Sequence, residues 1–131
     1  MILTALGNDR LIATERLEEV LRAEYAKHGE VHVVHLPLEP GSIMVISISV
    51  SSERGGHTVE LSIDGRTVTI DGYWEEGAEV AALVRSTLPA DFPTLILMDD
   101  DATGFAYVPA GATAESVAAG WRDISHYPYD A

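Results

Sequence analysis

Between Ile43 and Asp71 the chain alternates apolar and polar residues through three successive segments, and this period of two constrains the fold more than any other feature. Met44, Ile46, Ile48 and Val50 fall on one side of the first segment, with Val45, Ser47, Ser49 and Ser51 on the other. After Arg54-Gly55-Gly56, which reads as a turn, Val59, Leu61 and Ile63 alternate with Thr58, Glu60 and Ser62. Asp64-Gly65 is a two-residue hairpin signal, and Val68 and Ile70 then alternate with Thr67, Thr69 and Asp71. Neighbouring strands with one apolar and one Ser/Thr-rich face call for an antiparallel sheet, wet on one side and covered on the other.

Helices are expected to supply the cover. Thr14 reads as an N-cap, with Glu15, Glu18 and Glu19 in the first turns, where the helix dipole favours anions. Leu17, Val20, Leu21, Tyr25 and His28 keep the three-to-four spacing of one buried face, and Gly29 suits the position just past the helix. A second helix is predicted over 75–88, packing through Val80, Leu83, Val84 and Leu88 and stopping before Pro89. Thr113 should cap a third, carrying Val117, Trp121 and Ile124.

Further strands are expected at 31–36, ending at Pro37, at 93–99 with apolar residues on both faces, and at 105–108, with a short one at 2–6. The predicted order is (β)αββββαββα. The fold class is α+β: a mainly antiparallel sheet of about five to six strands with helices packed on one face, in a single domain over residues 1–131.

The net charge is −13, which argues against nucleic acid or an anionic membrane as partner, because both recruit Lys and Arg. The charge is not evenly spread. Residues 1–30 and 31–70 each balance at −2, whereas 71–131 hold eleven acids against Arg85 and Arg122, a balance of −9. Eight of the nine aromatic residues lie in that same half. Trp121 is expected to fill the core along the Val117 and Ile124 stripe, while Tyr73, Trp74, Tyr127 and Tyr129 are candidates for the surface. Tyr and Trp anchor interfaces, and an acidic surround speeds the approach of a basic partner. The candidate partner-binding residues are therefore Asp71, Tyr73, Trp74, Glu75, Glu76, Glu79, Asp99, Asp100 and Asp101.

Signatures of catalysis are missing. There is no cysteine, which removes disulfides, thiolate nucleophiles and Cys-based metal sites. No serine stands in a G-x-S-x-G elbow, and neither nucleotide-binding glycine fingerprint occurs. His32 and His35 sit on a predicted strand, where odd spacing sends them to opposite faces. Asp99-Asp100-Asp101 begins like a calcium loop, but the twelfth position is Ala110 rather than Glu, and the flanks read as strands. A hairpin tip is the expectation, with no metal, no cofactor and no catalytic residue assigned. A small metal- or ligand-dependent α+β enzyme, or a ligand-binding domain, is the alternative.

In its size, acidity and acid-plus-aromatic C-terminal half, the chain resembles the small acidic immunity proteins of bacterial polymorphic-toxin systems. That resemblance implies a cytoplasmic α+β protein that blocks a cognate, basic toxin domain. The absence of a basic and apolar leader pattern near Met1 and of cysteine agrees with a cytoplasmic location. No apolar run is long enough to span a bilayer.

Overall fold

The computed structural model describes residues 1–5, 14–27, 29–35, 45–52, 55–62, 67–71 and 74–127. Its elements run β1 (Ile2–Ala5), α1 (Thr14–Tyr25), β2 (Glu30–His35), β3 (Val45–Ser52), β4 (Gly55–Ser62), β5 (Thr67–Asp71), α2 (Trp74–Ser86), β6 (Leu95–Met98), β7 (Gly104–Val108), α3 (Ala114–Ala119) and β8 (Arg122–Asp123), closing with a 3₁₀ turn at Ile124–His126. The class is α+β, as the alternation predicts.

The eight strands among the described residues form one antiparallel sheet in the order β2-β3-β4-β5-β1-β6-β7-β8. Two meanders, β2 to β5 and β6 to β8, are joined by the N-terminal strand inserted between them. Leu3 of β1 stands opposite Val68 on one side and Leu97 on the other.

One parity of strand residues builds the core. Leu3, Ile46, Ile48, Val59, Leu61, Val68, Ile70, Leu95, Leu97, Ala106 and Val108 are buried together with Leu17, Leu21 and Tyr25 of α1, Ala78, Val80, Ala81 and Val84 of α2, and Val117 of α3. Each fully buried Leu or Ile contributes about 1.5–3 kcal/mol of hydrophobic stabilisation. The 4-residue spacing of Leu17, Leu21 and Tyr25 puts them on one stripe of α1, and this stripe faces the sheet.

The opposite face changes character across the sheet. Over β3, β4, β5 and β1 it is polar: Ser47, Ser49, Thr58, Thr67, Thr69 and Thr4 are half-buried, and the Ser49 and Thr58 hydroxyls lie 3.2 Å apart. Over β6 and β7 it is apolar. Ile96 and Phe105 are buried there, and Phe105 meets Tyr107 and Tyr127 edge-on at ring-centroid distances of 5.4 and 5.3 Å. The wet face that the alternation implies thus covers only the first meander and β1.

Several expectations need correction. The sheet has eight strands, not five or six, because residues 2–5 form a full member of it and Arg122–Asp123 adds a short edge. Gly55 and Gly56 belong to β4, opposite Ser52 and Ser51, rather than to the turn. Asp64-Gly65, Ile43, Met44 and Ile63 lie outside the described residues. The third helix stops at Ala119: its capping box joins Thr113 and Ser116, but the Gly120 amide turns back onto the Ser116 and Val117 carbonyls. The chain then leaves the helical path to pair with β7, so Trp121 is 37 % exposed rather than in the core.

Candidate functional site

The acidic segments that are separate in sequence meet around Met1. The Met1 carbonyl accepts from the Ile70 amide at 2.7 Å, and the Met1 amine donates to the Ile70 carbonyl at 2.6 Å. The same amine lies 2.8 Å from an Asp100 carboxylate oxygen. Met1 also presses on α2, where a β-carbon at Gly77 would collide with its sulfur. One residue thereby fixes the end of β5, the β6–β7 turn and the first half of α2 to one another. Asp71, Glu75, Glu76, Glu79 and Asp99–Asp101 consequently gather at one end of the sheet.

Two neighbours extend this acidic pole. Asp123 stands opposite Gly104 in the register, and the Ile124 amide donates to the Thr103 carbonyl at 3.0 Å, so the start of the 3₁₀ turn flanks the Asp99 turn. Bonds from the Ser125 hydroxyl and amide, aided by His126, hold the Asp123 carboxyl below its usual range. From α1, Tyr25 reaches the pole. Its phenol is held neutral well above the usual range, first by burial and then by the charges of Glu76 and Glu79.

These acids do not all do the same work. Asp99 holds the hairpin: its carboxylate accepts from the Thr103 amide at 2.7 Å, from the Gly104 amide at 3.3 Å and from the Thr103 hydroxyl. Partial burial opposes its ionisation, but those bonds outweigh it and set the carboxyl below the ordinary carboxylate range. Asp100 is paired with Met1. Glu76 is half-buried. Asp71, Glu75, Glu79 and Asp101 are exposed, and their carboxylates enter no ion pair among the described residues. Tyr73 lies outside the described residues, and Trp74 opens α2.

The two bases of this half are used elsewhere. Arg85 is 3 % exposed, and its guanidinium donates to the carbonyls of Leu88, Pro89, Ala90 and Phe92 beyond the end of α2. Arg122 lies 5.3 Å from the centre of the Tyr107 ring. Neither donates to a carboxylate of the pole among the described residues; the cation paired there is the Met1 amine, on Asp100.

Chemically, the arrangement is a field and a surface. Among the described residues no three His, Asp or Glu side chains converge as metal ligands. Asp99, the most constrained of the three consecutive aspartates, has both oxygens occupied by the turn itself.

No protein-family model matches the chain, and neither a curated protein nor a solved structure matches it. The site is therefore read from its own geometry.

Sequence reasoning found the acids but missed what assembles them. Met1, Gly77 and Thr103 carry no charge pattern, and only the glycine inside a helical stretch signals a close approach. Arg85 was counted as charge, although burial makes it a clasp for four carbonyls.

Proposed function

We propose that this chain is an immunity-type inhibitor that binds and neutralises a basic toxin domain through the acidic pole around Met1. The supporting observation is convergence: Asp71, Glu75, Glu79 and Asp101, from three different parts of the sequence, are exposed at one end of the sheet, and no base among the described residues is paired to them. A surface with one sign of charge raises the encounter rate of an oppositely charged protein by one to three orders of magnitude at low salt. It also fixes orientation, since only the cationic face of the partner is drawn in. Tyr73 and Trp74, between Asp71 and Glu75 in the chain, are the aromatic anchors in this reading.

A cytoplasmic location accompanies this function. Among the described residues no helix is long and apolar enough to cross a membrane. The alternative, a metal-dependent enzyme built on Asp99–Asp101, gains no support from a turn whose first carboxylate is bound by Thr103 and Gly104.

The experiment is co-expression with a cationic toxin domain taken from the chain's gene neighbourhood. The unaltered chain should restore growth, and a variant carrying Asp71→Lys, Glu75→Lys, Glu79→Lys and Asp101→Lys should not, while keeping its fold by circular dichroism. Equal protection by both would overturn the reading.

A further inference from the structure

The two edges of the sheet are treated differently. β8 is two residues long, both charged, and runs straight into the 3₁₀ turn. β2 is a six-residue strand, Glu30–His35, that pairs among the described residues with β3 alone. Long free edges are normally blunted by proline, lysine or a bulge, since their unpaired amides and carbonyls template further strands. β2 has no proline or lysine, and all six of its residues pair with β3 in unbroken register.

It carries apolar residues on both faces. Val31 and Val33 pack partly on the core, whereas Val34, on the opposite face, is 51 % exposed. β1, β6 and β7 also carry apolar residues on both faces, and each is flanked by a strand on both sides. Apolar residues on both faces are the mark of a strand enclosed by neighbours.

We propose that a second copy of the chain supplies the missing neighbour, through antiparallel β2–β2 pairing about a twofold axis normal to the sheet. Such an axis keeps the helices of both copies on the same side, so residues of equal parity must oppose one another. Centring the pair on His32 sets Val31 against Val33 of the second copy, twice, on the helix-covered side. On the open side Glu30 stands opposite Val34 and diagonal to His32 of the second copy, within reach of a polar contact. Within one chain the Glu30 carboxylate is already 3.7 Å from the His32 Nε2.

Charge favours this occupant. At about 4.8 Å per strand, β2 lies about 14 Å from β5 and about 19 Å from β1, across the sheet from the acidic pole. Both distances exceed the Debye length of about 8 Å at physiological ionic strength. Two copies joined at β2 therefore carry their acidic poles at opposite ends, and the one carboxylate of each β2, Glu30, lies diagonal to His32 of the second copy.

Sedimentation equilibrium of the full chain at physiological salt tests this. A concentration-dependent species of twice 14.1 kDa is expected at micromolar protein. Val34→Glu, which sets a second carboxylate opposite Glu30 of the second copy, and, separately, His32→Lys, which sets two ammonium groups opposite each other, alter exposed side chains, so the fold is retained, and each should weaken association at least tenfold. Substituting the four exposed acids of the pole should leave it unchanged. A chain that stays monomeric at every concentration overturns the proposal. So does a dimer indifferent to both substitutions, or an edge that accepts only a foreign peptide strand.

Discussion

Thr103 donates to Asp99 twice: its amide reaches one carboxylate oxygen at 2.7 Å and its hydroxyl the other. The Asp99 amide in turn donates to the Gly104 carbonyl at 3.3 Å, so the β6–β7 turn closes around this one side chain. Asp99→Ala should lower stability by about 1 kcal/mol, the net worth of such bonds near the surface. Because the carboxyl is held below its unfolded value of about 3.9, the stabilisation is complete above that pH and lost as pH falls through the folded value. Thermal melts of the parent and Asp99→Asn should therefore differ at neutral pH and converge below about pH 4. A constant difference down to the acid limit would contradict the assigned bonds.

The same turn contains Ala102 at φ 52°, in the left-handed region that L side chains avoid. Its amide donates to the Asp99 carbonyl at 3.1 Å, which keeps it there. Glycine carries no β-carbon penalty in this region, a relief of roughly 1–2 kcal/mol, and loses about 0.5–1 kcal/mol of that to the entropy of the unfolded chain. Ala102→Gly should thus raise the melting temperature by a few degrees. A fall would mean that the turn has another conformation.

Arg85 predicts a larger effect. Its two strongest bonds, to the Pro89 and Phe92 carbonyls, are both 3.1 Å, and the group is buried. Arg85→Met keeps the stem but removes the buried bond to the Phe92 carbonyl, a loss of about 1–3 kcal/mol, together with the three part-buried bonds to Leu88, Pro89 and Ala90. Urea unfolding should show a loss of about 2–4 kcal/mol, and Arg85→Lys should recover only part of it, because a point charge cannot serve a fan of acceptors. A loss below about 1 kcal/mol would argue against the clasp.

How much of this was legible in the sequence follows from the range of each signal. Alternation over 43–71 is local and repeats, so the antiparallel meander and its Ser/Thr face could be read from it directly. Four residues at 2–5 carry no such repeat. Their place between β5 and β6 comes from partners more than 60 positions away, such as Val68 and Leu97 opposite Leu3. The third helix was overextended because the Val117, Trp121 and Ile124 spacing looks helical. Gly120 interrupts it, and Gly104 then leaves a bed for the Trp121 ring, which a β-carbon there would meet at 2.6 Å. The candidate acids were visible as composition. Their meeting at Met1, and the division into exposed carboxylates and those holding a turn or an amine, are tertiary facts.

The acidic pole itself is tested most directly by stopped-flow association with the cationic toxin domain across a salt series. The comparison is between the parent chain and a variant carrying Asp71→Asn, Glu75→Gln, Glu79→Gln and Asp101→Asn. The account predicts that the parent associates at least about tenfold faster at low salt, and that its advantage shrinks as ionic strength rises past about 0.15 M. Equal rates with equal salt dependence would contradict it.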